Sequence, residues 1–275
     1  MNSIIVGDCL NVLPKVQTSS VDLIMTSPPY ADKRSYETTS VAKYVDWFLP
    51  RAEQFHRVLK LTGSFVLNIK AGVSNGERQT YVLELVLKLR EHGWLWTEEY
   101  VWHKKNSFPG KWPNRFRDAW ESCYHFTKEK KFYMDQDSVM VPMGDWAVSR
   151  LKSLSDKDKR RDPSAVGSGF GKNIGNWVGR DKAYPTNVIH LATECGNKEH
   201  PAAFPLELPT WFIKLFTKPN DLVLDPFSGA GTTCVAAKQL GRNYMGIDIS
   251  TDYCEKARTR LSKTSRSLED RIDEL

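Results

Sequence analysis

Leu222-Val223-Leu224-Asp225-Pro226-Phe227-Ser228-Gly229-Ala230-Gly231-Thr232-Thr233 reads as a short apolar strand that runs into a glycine-containing turn. Thr232 to Leu240 continues as a helix, Tyr244 to Ile247 as a second strand, and Asp248 closes that strand with an acid. Strand, Gly-x-Gly turn, helix, strand and acid make a nucleoside-binding βαβ half. Gly229 and Gly231 let a ligand approach the backbone, and Asp248 is placed to hold ribose hydroxyls. A pyrophosphate fingerprint wants a third glycine where Cys234 stands, so a cofactor without pyrophosphate fits better than a nicotinamide dinucleotide. No His or Lys is placed credibly for hydride chemistry either.

Working outward, the helix before this unit spans Phe204 to Lys218, carrying Leu206, Leu208, Trp211, Phe212, Leu215 and Phe216 and ending before Pro219. Beyond it, Lys256 to Leu275 reads as a charged helical tail. At the other end of the chain, Ser3 to Val6 is a short strand followed by Gly7-Asp8-Cys9 and a helical turn closed before Pro14. Asp8 therefore sits at a strand's carboxyl end, where it either accepts from a cofactor amino group or caps the turn that follows. The apolar run Val21 to Met25 ends at Thr26-Ser27-Pro28-Pro29-Tyr30. Two consecutive prolines remove two N–H donors and fix φ twice, so the strand stops in a rigid corner. Alone, that corner is ordinary loop punctuation. Ala31 to Ser40 is a polar loop suited to a lid, Val41 to Lys60 one helix or two around Pro50, Gly63 to Ile69 a strand, and Gln79 to His92 a helix. Tyr100 to Trp102 is another strand.

The sheet pattern weakens beyond Lys105. Cys123 to Thr127 and Lys131 to Met134 read as a small β element, and Val141 to Thr186 as Gly-, Ser-, Asp- and Lys-rich loops. Between Lys104 and Lys182 the chain carries 17 Lys and Arg against 10 Asp and Glu, an excess that accounts for the whole molecule's net charge of +6. Phe108, Trp112, Phe116, Trp146, Phe170 and Trp177 are interleaved with these cations. Phosphates attract the first and unstacked bases the second, so the segment suits nucleic acid, with a satellite core under long loops as the other reading. Lys104, Lys105, Arg115, Arg117, Arg160, Arg161 and Lys172 are its candidate DNA contacts.

With 275 residues, 40% hydrophobic and 26% charged, the chain has room for one large α/β domain with an insertion. No apolar run is long enough for a membrane span, and the first residues lack a secretory leader, so a soluble, cytoplasmic protein is expected. Cys9, Cys123, Cys195, Cys234 and Cys254 show no metal or redox spacing, and no metal is expected.

Taken together, two stretches carry a family resemblance. Asp225 to Thr233 resembles the S-adenosylmethionine loop of DNA amino-methyltransferases, and Thr26 to Tyr30 resembles their catalytic tetrad. Their order, tetrad first and cofactor loop last with a basic segment between, is similar to the permuted β group. Gly7-Asp8 and His200-Pro-Ala-Ala-Phe-Pro205 also resemble family segments. The resemblance implies a doubly wound, mostly parallel sheet with an inserted target-recognition region. On this reading residues 1–105 form the catalytic half, 106–186 the insertion and 187–275 the cofactor half. It implies Ser27, Pro28, Pro29 and Tyr30 as catalytic, with Asp8, Cys9, Thr26, Asp225, Phe227, Gly229, Gly231, Thr232, Thr233 and Asp248 binding S-adenosylmethionine.

The chemistry follows from the residue types. An exocyclic amino nitrogen is a poor nucleophile because its lone pair is delocalised into the base. Ser27 Oγ and the Pro28 carbonyl are suited to accept its protons and localise that pair, and Tyr30 to stack on an extruded base. Cytosine-C5 chemistry needs a thiolate, usually beside a proline, and none of the five cysteines follows one. Ser27 at the first tetrad position resembles cytosine-N4 enzymes, with adenine-N6 as the alternative. The expected partner is DNA, with the protein acting either as the protective half of a pair with a cognate restriction endonuclease or as a solitary modifier. A catalytically silent nucleic-acid-binding module is the reading from a different class.

Overall fold

The computed structural model describes residues 2–31, 40–107, 110, 113–153, 155, 178–193 and 204–265. Two units are distinguished, one comprising 1–135 and 187–275, the other 136–186.

The larger unit is built on one sheet of eight strands: β1 (Ser3–Val6), β2 (Val21–Thr26), β3 (Leu59–Ile69), β6 (Leu95–Lys104), β7 (Trp120–Thr127), β10 (Val188–Leu191), β11 (Leu222–Asp225) and β12 (Asn243–Asp248). Their spatial order is β1-β12-β11-β2-β3-β7-β6-β10. The first five are mutually parallel, β7 is antiparallel to both neighbours, and β10 joins β6 in parallel. A small hairpin, β4 (Val73–Ser74) and β5 (Glu77–Arg78), lies apart from the sheet. Asn75 and Gly76 make its turn, both at positive φ, the conformation Asn-Gly favours between two strands.

Leu23, Ile24 and Met25 of β2 are all fully buried. A strand covered on both faces must be apolar without alternation, which is why the run Val21 to Met25 is continuous. One face is covered by α1 (Cys9–Val12), α2 (Tyr44–Val58) and α3 (Tyr81–Glu91), whose Phe48, Phe55, Val58, Leu85 and Leu89 meet Ile24, Phe65, Phe126 and Leu224. Pro50 lies within α2, so Val41 to Lys60 holds one α-helix, preceded by a single 3-10 turn, and not two. Phe48, Ala52 and Phe55 on either side of it are buried, and that packing offsets the hydrogen bond the proline removes. The opposite face carries α5 (Glu207–Phe216), α6 (Thr232–Gln239) and α7 (Thr251–Lys263). There Phe212 and Phe216 pack with Tyr100 and His125. Burial holds the His125 imidazole neutral, its pKa lowered to about 3.

The smaller unit contains β8 (Val141–Pro142), α4 (Asp145–Lys152) and β9 (Lys182–Ala183), with β8 and β9 paired antiparallel. This division corrects the expected start of the insertion. Trp120–Thr127 is no satellite element but a strand of the main sheet, hydrogen-bonded to β3 and β6, so the chain leaves the larger unit after Asp135 and not after Lys105. Lys131 to Met134 forms no strand; Tyr133 N–H instead donates to the Thr62 carbonyl at 3.1 Å. The last helix begins at Thr251, earlier than expected, with Ser250 capping it, and the predicted tail beyond 265 lies outside the described residues.

Candidate functional site

Gly7-Asp8 follows β1, the Pro-Pro corner follows β2, the glycine turn follows β11 and Asp248 closes β12, all at the carboxyl edge of the parallel strands. Because β11 and β2 are neighbours from which the chain winds off in opposite directions, this edge opens a crevice between them.

Asp225 ends β11 and is buried. Thr26 Oγ1, from the end of β2, donates to its Oδ1 at 2.6 Å, and Thr233 Oγ1, in the first turn of α6, donates to Oδ2 at 2.7 Å. Phe227 N–H adds a third donor at 3.1 Å. Burial raises the carboxyl pKa to about 6, and these hydrogen bonds limit the rise. Thr26 thus joins the two strand ends across 199 residues of sequence. Asp248 braces the same loop, with Gly229 N–H on Oδ2 at 2.8 Å and Ser250 N–H on Oδ1 at 2.9 Å; burial pushes its carboxyl pKa up.

Gly231 sits at φ +78° as the N-cap of α6, and a Cβ there would lie 2.7 Å from Ala257 Cβ of α7. Only glycine meets both demands. The close helix–strand approach expected of a third glycine is made from the other side, since a Cβ on Gly246 of β12 would fall 2.9 Å from Cys234 Sγ. Cys234 therefore fills space that the strand glycine vacates.

Asp8 caps α1, accepting from Leu10 N–H at 2.9 Å, and pairs with Arg51 Nη2 at 3.0 Å. Both readings of Asp8 involve the same carboxylate, and the geometry establishes the cap. Arg51 lies buried under this pair, its guanidinium 4.1 Å from the Trp47 ring centroid, while Trp47 packs against Phe227 at 5.7 Å. A charged residue on the buried face of α2, beside Phe48 and Ala52, was the available signal for Arg51. Cys9 is buried and its thiol pKa is pushed up to about 12. Thr232 Oγ1 accepts from Arg260 at 3.1 Å.

At the Pro-Pro corner, Tyr44 O–H donates to the Pro29 carbonyl at 2.9 Å, tying the corner to α2. Tyr30 O–H donates to Glu121 Oε2 at 2.8 Å, and Glu121 Oε1 takes Lys104 Nζ at 2.5 Å. A carboxylate only accepts, so the Tyr30 oxygen keeps its lone pairs toward Ser27, whose Oγ is 3.5 Å away. Burial and the Glu121 charge hold the Tyr30 phenol well above its ordinary pKa, fixing it as a donor. Glu121 has no sequence signal beyond being an acid within an apolar strand; β7's place in the sheet brings it here.

Of the candidate DNA contacts, Lys105 is exposed, Arg115 pairs with Asp118 at 3.7 Å and Arg117 donates to the Ser107 carbonyl at 3.1 Å. Lys104 pairs with Glu121 beside the Pro-Pro corner. Arg160, Arg161 and Lys172 lie outside the described residues, as does Cys195. Among the described residues no group of three or more potential metal ligands is assembled, and no helix is long and apolar enough to cross a membrane.

A DNA methylase family model, that of the N6/N4 enzymes, matches residues 21–259. The chain belongs to the N6/N4 DNA methylase family. The Type II methyltransferase M.PvuII of Proteus hauseri is 31% identical over 277 residues, covering 91% of this chain and 81% of the relative. M.BglII of Bacillus subtilis is 30% identical over 271 residues, covering 95% and 69%. The structure titled PvuII DNA methyltransferase (cytosine-N4-specific) superposes with a TM-score of 0.72 at 25% identity, over 99% of this chain and 90% of that one. A putative DNA modification methylase of Thermus thermophilus, complexed with S-adenosyl-L-methionine, shares the fold at a TM-score of 0.62 and 21% identity, over 96% and 94% of the two chains. The sheet and helices are accordingly those of the S-adenosylmethionine-dependent methyltransferase fold. This N6/N4 methylase is a β-group DNA amino-methyltransferase that uses S-adenosylmethionine.

Proposed function

We propose that the enzyme methylates the exocyclic N4 of cytosine at a specific DNA sequence, on a base extruded from the duplex. The observation that carries this reading is the directed chain Ser27, Tyr30, Glu121. Glu121 can only accept, so Tyr30 donates to it, Ser27 donates to Tyr30, and the Ser27 lone pairs are left for the amino protons of the base. Hydrogen bonds to those protons localise the nitrogen lone pair for attack on the methyl carbon, and the proton the nitrogen then sheds has an acceptor in Glu121 through Ser27 and Tyr30. S-adenosylmethionine, when bound, supplies that carbon on a sulfonium, and the departing sulfur takes the electron pair of the broken C–S bond. The 3.5 Å between Ser27 and Tyr30 is expected to tighten around the base.

Of the expected cofactor ligands, Asp8, Phe227 and Asp248 are half-buried, whereas Thr26, Asp225, Thr232 and Thr233 are buried. We assign the first three to adenosine contacts and the second four to holding the loop. Gly229 and Gly231 give the backbone its close approach. Cys9 is buried next to Asp8, and burial keeps its thiol protonated. Target recognition is assigned to residues 106–119 and 136–186, which leaves out the core strand β7, in keeping with their positive charge. The cytosine assignment draws on Ser27 and on the cytosine-N4-specific title of the PvuII structure; adenine-N6 is the alternative that the N6/N4 family leaves. Type II relatives favour a role beside a restriction endonuclease.

Incubating the protein with unmethylated genomic DNA and methyl-labelled S-adenosylmethionine, then digesting to nucleosides for mass spectrometry, tests the reading. Label in N4-methylcytosine is expected. Label in N6-methyladenine keeps the mechanism and overturns the base, and no label with cofactor bound favours a silent binding module.

A further inference from the structure

Phe116 is 95% exposed, while the next most exposed large apolar residue among those described, Leu83, stands at 61%. A phenylalanine in water forfeits its burial, and a loose chain would let it fold back onto the surface. The loop that carries it, 113–119, is not loose. Asp118 receives Lys70 at 3.2 Å, Arg78 at 3.1 Å and Arg115 at 3.7 Å, and Arg117 is tied to the Ser107 carbonyl at 3.1 Å. Arg78 comes from the β4–β5 hairpin, whose Gly76 lies beside Asn114, so hairpin and loop support each other.

Two further features say what Phe116 meets. Lys70, Arg78 and Arg115 gather around Asp118, so three cations stand beside an aromatic tip, a combination suited to phosphates flanking a base stack. The loop also leads straight into β7, where Glu121, five residues after Phe116, holds Tyr30. Five extended residues span at most about 17 Å, so the tip stands within a few base steps of the corner that would receive the target.

We propose that Phe116 is a wedge that enters the DNA base stack beside the target nucleotide and fills the gap left when the base is extruded. The inference rests on the DNA-methyltransferase reading and adds the residue that stabilises the open duplex. Removing a base from the stack costs stacking and pairing energy, and an inserted apolar side chain recovers part of it.

The test uses the full chain and a synthetic duplex carrying the sequence mapped from methylated genomic DNA, with the target base either paired or opposite an abasic position. Phe116→Ala is expected to slow single-turnover methylation of the paired duplex by about tenfold or more. On the abasic-opposed duplex, where extrusion is already cheap, it should come within about threefold of the wild type. Phe116→Trp should retain activity on both, and S-adenosylmethionine affinity should be unchanged in either variant. An active wild type matched by Phe116→Ala on the paired duplex overturns the wedge alone, as does an equal loss on both duplexes. A shift from dimer to monomer in Phe116→Ala with methylation unaffected assigns the tip to a second copy of the chain instead. A wild type that transfers no methyl group to any DNA overturns the reading beneath the wedge.

Discussion

At the end of β11 the polar side chains turn inward: Asp225 is buried and takes Thr26, Thr233 and the Phe227 N–H. At the end of β2, one strand away, the corner is half-exposed and is held from outside by Tyr44 on Pro29 and by Glu121 on Tyr30. The first region is a backbone cradle stiffened by buried carboxylates; the second is a set of groups kept pointing the right way. A cofactor that every turnover uses in the same pose suits a cradle formed in advance, while a base arriving from the duplex needs oriented acceptors at an open edge. The Thr26–Asp225 hydrogen bond passes from one to the other, while the remaining side-chain partners named above belong to one region each, so the two regions should fail in different ways.

The largest expected effect separates them most cleanly. Ser27→Ala should lower kcat by about 10²- to 10⁴-fold while S-adenosylmethionine affinity stays within about twofold. Equal losses in single-turnover rate and in calorimetric affinity would erase the distinction between cradle and corner.

Next comes Asp225→Asn, read against pH. The folded pKa of about 6 lies above the ordinary 3.8, so the proton favours the folded state. That contribution is complete below about 3.8 and is lost as the pH rises through 6. Urea unfolding should show the stability of the wild type relative to Asp225→Asn falling by up to about 3 kcal/mol between pH 4 and pH 7. A difference independent of pH would mean that the carboxylate is not the strained element of the cradle.

Glu121→Gln sharpens the corner. An amide can donate as well as accept, so Tyr30 loses its fixed direction and Lys104 its ion pair, and kcat is expected to fall about tenfold with KM for the cofactor unchanged. An unaltered kcat would reduce Glu121 to a structural partner. The smallest effect is expected from Asp248→Ala, which should weaken S-adenosylmethionine binding by about fivefold and leave gel-shift affinity for DNA intact. Unchanged cofactor binding would remove Asp248 from the ribose site.

The βαβ unit from Leu222 to Asp248 and the strand ending at Thr26 were legible because each is local: an apolar run, a turn residue, a helix period. Asp248 and Gly231 could be marked for the same reason, since the residues that give them meaning lie within one supersecondary unit. Glu121 and Arg51 could not. Glu121 acquires a role only because β7 inserts antiparallel beside β3, and Arg51 only because α2 lays that face across Asp8. The strand Trp120–Thr127 was misplaced into the insertion because its neighbours in sequence are basic loops, while its neighbours in space are β3 and β6. The partner of Lys104 was hidden for a related reason: a cation's partner cannot be read from charge counts when the acid stands on an adjacent strand.

Sequence alone therefore settled the class of the fold, the two loops that meet at the sheet edge and the chemistry their residue types permit. Periodicity, prolines and glycines act over a few residues and leave their mark in the chain. Only the tertiary structure decided which of these side chains are buried and hydrogen-bonded, which acid directs Tyr30, and where the second unit begins. Those answers depend on pairings between residues as far apart as Thr26 and Asp225, for which sheet register and burial, not local propensity, choose the partner.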